Sequence, residues 1–211
     1  MIFCCPLQAK RQRRKDARPA ELLDAALEIF VEKGFAATRV EEVAQRAGVS
    51  KGTLFLYFPS KEELFKAVVR ENISGRLGEW NTEFVNFQGT TQDMLRHVMQ
   101  TWWDRIGSTK ASGISRLMMS EAGNFPELTA FYQNEVVLPT HNLIQRILQR
   151  GVERGEFRPL SETELHYGVY TVLAPMLFLA MTQRCNLGIP IEPEKYLLTQ
   201  VETILFGLVK K

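Results

Sequence analysis

The chain has 211 residues, 45 % of them apolar and 24 % charged, with a formal net charge of +2. That length holds one large domain, or a small domain and a medium one, and the composition is that of a soluble globular protein with a sizeable core. Three cysteines (Cys4, Cys5 and Cys185), odd in number and without C-x-x-C spacing, argue against a disulfide framework or a zinc site and fit a reducing cytoplasm.

The charge is unevenly placed. Residues 1–66 carry twelve Lys/Arg against nine Asp/Glu, and residues 67–211 carry fourteen against fifteen. A positive excess at one end suits an anionic polymer. Met1 to Leu7 is mildly apolar, but the basic run follows it, the reverse of a signal peptide. The longest uncharged apolar stretch, Tyr167 to Met181, contains Pro175 and falls short of the ~20 residues that cross a bilayer. It reads as a buried helix, and no membrane partner is expected.

Residues 1–18 read as a disordered basic arm built around KRQRRKDAR from Lys10 to Arg18. Such an arm is either a solvated tail or a DNA-contacting extension. Pro19 opens a helix with Leu23, Ala26, Leu27, Phe30 and Val31 at helical spacing, which Gly34 ends. Thr38 and Glu41 form a T-x-x-E capping box for a second helix that Gly48 closes. Ser50 caps a third helix running to about Phe58, stopped by Pro59. Ser60 and Glu63 open a long fourth helix with Leu64, Phe65, Val68, Val69, Ile73, Leu77 and Trp80 on one face.

Only helices follow, over roughly 91–107, 112–123, 127–137, 140–155, 162–184 and 193–209, punctuated by Gly107, Gly123, Pro126, Pro139, Pro159, Gly188 and Pro190. The class is therefore all-α: a three-helix head over 19–66 and a larger helical domain over 67–211.

The stretch TRVEEVAQRAGVSKGTLFLYFPSK, Thr38 to Lys61, carries the functional signal. It encodes two short helices joined by a turn of about three residues containing a glycine, the pattern of a helix-turn-helix. Val40, Val43 and Ala44 give the first helix a narrow apolar face, and Val49 and Leu54 bury against it. Ser50, Lys51, Gly52 and Thr53 open the second helix, where free N–H groups and short polar side chains suit phosphates and base edges. The alternative is an ordinary helical hairpin. The basic arm, the supporting helices on both sides and the polar start of the second helix weigh against it.

From Leu22 to Phe65 the sequence resembles the TetR/AcrR family of bacterial regulators. The resemblance rests on ALEIFVEKGF (Ala26 to Phe35), TRVEEVAQRAGVSKGTL (Thr38 to Leu54) and YFPSKEELF (Tyr57 to Phe65). RLMMSEAGNFPEL, Arg116 to Leu128, looks like a segment of AcrR-like members. The resemblance implies a repressor that binds a palindromic operator in double-stranded DNA as a homodimer and is released by a small molecule. Carried over by position, it puts Ser50, Lys51, Gly52 and Thr53 on the DNA, with Tyr57 and Lys61 on phosphate. Two positions depart from the pattern. Leu56 stands where many members have Tyr, and offers apolar contact to a thymine methyl instead. Arg39 stands where a small hydroxyl residue is common, and adds a phosphate or base contact.

In the second domain, bulky soft side chains can line an apolar pocket for an apolar or aromatic effector. The candidates are Trp102, Trp103, Met119, Phe131, Tyr132, Tyr170 and Met176, with Arg116, Glu121 and His166 as polar groups. Residue by residue, a core role is the commoner alternative. Leu165, Val169, Val172, Leu173, Met176 and Ala180 form one stripe, and Leu197, Val201, Ile204, Leu205 and Leu208 another. Two such faces can build a four-helix dimer interface.

Two other readings stand beside the repressor. One is an enzyme using Asp93 with His97 or Glu162 with His166, spacings more typical of surface ion pairs. No catalytic residues are expected, because the chain lacks a phosphate loop, H-E-x-x-H and G-x-S-x-G. No metal or cofactor is expected either. The other is a DNA-binding protein whose second domain serves only dimerisation or a protein partner. A helix-turn-helix does not by itself set repression against activation.

Overall fold

The computed structural model describes residues 6–185 and 190–209, with side chains for 19–183 and 190–209. Cys4 and Cys5, and the side chain of Cys185, lie outside the described set. The chain forms two compact units, Met1–Glu71 and Asn72–Lys211.

The first unit holds α1 (Pro6–Ala37), α2 (Val40–Arg46), α3 (Lys51–Tyr57) and α4 (Lys61–Val69). The irregular arm expected before Pro19 is corrected over 6–18, which are helical and continuous with α1. Lys, Arg, Gln and Ala are good helix formers and carry the helix through Pro19, which removes one backbone donor and crowds the carbonyl four residues before it. Helical geometry ends at Gly34, whose φ of 83° is left-handed. The core is aromatic: Phe30, Phe35 and Phe65 are each wholly buried. Their rings lie 5.7, 5.2 and 5.5 Å apart, one pair stacked and two edge-on, geometries that add to the area they bury.

The expected capping box at Thr38 does not form. Thr38 is buried, and its hydroxyl donates back to the Gly34 carbonyl at 2.7 Å. Arg39 takes the N-cap position of α2 without a side-chain cap bond. Thr38 thus closes the end of α1, because the chain turns there with several carbonyls left to satisfy. The caps at Ser50 and Ser60 do form, accepting from the amides of Thr53 at 3.1 Å and Glu63 at 3.2 Å. Gly48 takes φ +65° in the turn between α2 and α3.

The second unit holds α5 (Gly75–Asn86), α6 (Thr91–Trp102), α7 (Ser112–Glu121), α8 (Pro126–Tyr132), α9 (Leu138–Glu153), α10 (Glu162–Cys185) and α11 (Pro193–Leu208). Three π-helical turns, Arg70–Ser74, Trp103–Gly107 and Gln133–Val137, interrupt the helices. The single long helix expected from Ser60 is therefore two α-helical segments joined by a π turn. Pro139, expected as a breaker, is the second residue of α9 directly after the third π turn and does not end the helical run.

α10 packs on α9, α7 and α11. By length and composition alone it is apolar enough to cross a membrane, contrary to the shorter stretch read from sequence. Its Val169, Val172, Met176 and Leu179 are instead buried within the unit.

Candidate nucleic-acid interface and ligand cavity

α3 is seven residues long and buries only one side chain. Leu54 is that residue and is wholly buried. Lys51, Gly52, Phe55 and Leu56 are left in solvent, Leu56 at 85 % exposure. Phe55 and Leu56 thus stand side by side in solvent.

The start of α3 is locally fixed. Ser50 Oγ caps the helix and also lies 2.9 Å from Thr53 Oγ1, so the two hydroxyls orient each other. Lys51 Nζ pairs with Glu41 on α2 at 2.5 Å. That bond, before any other cause, holds the Glu41 carboxyl below its ordinary value. Arg39 is exposed and Tyr57 half-buried.

Lys61, expected on phosphate, is differently employed. Its ammonium donates to the carbonyls of Phe35, Ala36 and Thr38 at 2.9, 3.2 and 3.2 Å. It also lies 4.5 Å from the centre of the Phe35 ring. All three of its N–H donors are thereby used in closing the segment between α1 and α2. Phe55, 38 % exposed, was not singled out from the sequence. The available signal was that three consecutive apolar residues, Leu54 to Leu56, cannot all face inward on one short helix.

The second unit contains a cavity of about 500 Å³. Of the residues expected to line it, Trp102, Met119, Tyr132, Tyr170 and Met176 do. Trp103, Arg116, Glu121, Phe131 and His166 are not among its lining residues. Trp103 instead crowds Gly107, where an added Cβ would come within 2.5 Å of its ring. His166 is exposed and sits in a ring cluster, tilted against His141 and edge-on to Tyr167 and Tyr170, at centroid distances of 5.1, 4.8 and 6.3 Å.

Each π-helical turn contributes to the lining: Ile73 from the first, Ile106 from the second, and Gln133, Val136 and Val137 from the third. A π turn widens the helix locally and re-aims side chains, and such turns concentrate at functional sites. Periodicity at 3.6 residues cannot register them, which is why Ile106 and Val136 were missed.

Much of the apolar stripes expected at a dimer interface is covered within the single chain. Val169, Val172, Leu197, Val201 and Leu205 are at most 3 % exposed within the single chain. Leu173 lines the cavity, and Leu165, Ile204 and Leu208 are only partly covered. The exposed apolar face of these helices is a different one: Tyr167, Tyr170, Phe178 and Met181 on α10, with Leu198 and Phe206 on α11. α10 is apolar nearly all round, so its most regular stripe serves its own core.

Among the described residues neither pair weighed as an enzyme site is joined by a hydrogen bond or ion pair. Asp93 bonds Thr90 at 2.6 Å and Arg96 at 3.2 Å, while His97 lies 3.8 Å from Glu83.

The family model described as "Bacterial regulatory proteins, tetR family" matches residues 22–68. A second, "Tetracyclin repressor-like, C-terminal domain", matches residues 87–187. The fatty acid metabolism regulator protein of Bacillus subtilis is 26 % identical over 146 residues, 69 % of this chain and 74 % of that protein. The regulator RutR of Escherichia coli is 50 % identical over 62 residues, 29 % of each chain. The crystal structure of Bacillus subtilis FadR in complex with stearoyl-CoA shares the fold with a TM-score of 0.73 at 21 % identity, covering 89 % of this chain and 98 % of that one. The head and most of the second unit thus match models of one family, and the chain belongs to the TetR family as a DNA-binding transcriptional regulator.

Proposed function

We propose that the protein is a cytoplasmic repressor that binds a palindromic operator as a homodimer and leaves it when a small molecule fills the cavity of the second unit. One observation carries the reading. The same chain has an exposed, capped recognition helix and an apolar cavity of ligand size. Arg39, Ser50, Lys51, Gly52, Thr53, Leu56 and Tyr57 meet the DNA, with Phe55 beside them. Lys61 enters as the residue that fixes the α1–α2 connection. Two copies join through the exposed face of α10 and α11, and reading a palindrome requires their recognition helices to reach successive major grooves.

The effector acts through the helical run that leaves the head. Ile73, Leu77 and Trp80 lie on the cavity wall and on the continuation of α4 through the π turn into α5. A ligand displaces DNA only if it binds the DNA-incompetent arrangement more tightly.

The test is binding of the purified protein to a fluorescent duplex of its own upstream intergenic DNA, against random duplex, across salt concentrations. The upstream duplex is expected to win by at least ~10³-fold, with affinity falling steeply as salt rises. Absence of binding to either duplex at low salt overturns the reading.

A further inference from the structure

We propose that the effector is an uncharged molecule with a flat apolar body and one hydrogen-bond acceptor, such as a ketone or ester carbonyl, and that Ser115 and Tyr132 select it. The proposal rests on the cavity being the effector site. Ser115 Oγ and Tyr132 Oη both line the cavity and lie 3.0 Å apart. Two hydroxyls bring two protons, and the bond between them consumes one. Among the described residues neither hydroxyl has another partner. Whichever of the two donates to the other, one O–H remains beside the cavity with no acceptor. Burial pushes the Tyr132 phenol above its ordinary value, so it stays protonated and able to donate.

The other lining groups narrow the ligand further. The Thr129 hydroxyl faces the carbonyls of Ala122 and Phe125 at 3.0 and 3.1 Å, which occupy its proton. Among the described residues no Lys, Arg, His, Asp or Glu lines the cavity. An ionised carboxylate drawn into it would lose its hydration with no counter-charge in return. Trp80 and Trp102 give the walls flat faces, and Met118 and Met119 adapt to a ring edge. This chemistry differs from that of stearoyl-CoA, the ligand in the Bacillus subtilis structure.

The test uses the full-length protein and four probes in calorimetric titration: 2-acetylnaphthalene, 2-ethylnaphthalene, 2-naphthoate and stearoyl-CoA. The ketone is expected to bind about 5-fold or more tighter than the ethyl compound, the worth of one ordinary hydrogen bond. The naphthoate and the acyl-CoA should bind more weakly than either. In the double variant Ser115→Ala/Tyr132→Phe the ketone should fall to the affinity of the ethyl compound, whose own affinity stays put and reports an intact cavity. If that variant does not fold, the comparison in the unaltered protein still decides. Equal affinity of ketone and ethyl compound, or tightest binding by naphthoate or stearoyl-CoA, overturns the selection by Ser115 and Tyr132 while leaving a ligand cavity in place. Failure of all four probes to bind overturns the proposal together with the effector reading beneath it.

Discussion

Gly52 and Gly48 sit four residues apart and answer to different demands. A Cβ at Gly52 would meet only Ser50 Oγ at 3.8 Å, so the protomer has room for a methyl group there. At Gly48 there is also room, but φ is +65°, which L-residues adopt at a cost of about 1–2 kcal/mol. Gly52→Ala should therefore melt no lower than the parent, since alanine is the better helix former, yet lose at least about tenfold in operator affinity where the helix meets the bases closely. Gly48→Ala should lower the melting temperature. Fluorescence anisotropy and thermal melting on both variants separate the two roles. Full operator affinity in Gly52→Ala would remove this stretch of α3 from the interface. Lys61 makes the complementary case. Lys61→Met leaves three carbonyls without their donor, and charged hydrogen bonds are worth about 1.5–3 kcal/mol each before solvent takes a share. A urea-unfolding loss of at least about 1.5 kcal/mol is expected. A loss near zero would return the ammonium to its other expected role, on phosphate.

Elements were legible in the sequence wherever one local rule acted alone. The caps at Ser50 and Ser60, the glycine turns at 34 and 48 and the order of helices follow from residue type and spacing. Misreadings arose where two demands met on one residue. Thr38 could cap α2 or close α1, and burial decided for α1. α10 could offer several apolar stripes, and the core took the most regular. The π turns left no trace, because five residues of altered hydrogen bonding do not disturb a periodicity read over three turns. The same logic gives tests on particular elements. Gly151 faces Phe157 so closely that a Cβ would fall 2.1 Å from its ring, and Phe157 is almost wholly buried. Gly151→Ala should cost about 1–3 kcal/mol or more through overpacking at the end of α9, measured by chemical unfolding. At the start of α10, the Arg158 guanidinium first, and then the backbone and side chain of Ser161, hold the Glu164 carboxyl at about 2 against an ordinary 4.5. A depressed carboxylate contributes its anchoring above the ordinary value and loses it as pH falls through the folded one. NMR titration of the Glu164 side chain should give a midpoint near 2, moving upward in Ser161→Ala. A midpoint near 4.5 in the parent would show that the Arg158–Glu164 contact does not persist in solution.

For the whole molecule, burial separates the faces through which the proposed dimer can form. Tyr167, Tyr170, Phe178 and Met181 recur on α10 at spacings of three, eight and three residues, one helical face, and Leu198 and Phe206 stand exposed on α11. Large apolar side chains clustered in this way mark an interaction surface, and the proposal assigns it to a second copy. An isologous pairing of the same patch with itself closes the assembly at two copies. The stripes expected from sequence have little surface left to offer: Val169, Val172, Leu197, Val201 and Leu205 are buried, and only Leu165, Leu173, Ile204 and Leu208 are part-exposed. The two possibilities differ sharply under substitution. Phe178→Glu with Leu198→Glu should leave helical circular dichroism intact and shift the sedimenting species from dimer to monomer. Operator affinity should fall by about 10² or more, because each recognition helix then binds its half-site without the effective concentration its partner supplied. Val172→Glu should instead unfold the second unit, since an unpaired charge buried there costs more than a marginally stable domain can absorb. A double variant that still sediments as a dimer would place the interface on another face and require a different geometry for reading two half-sites.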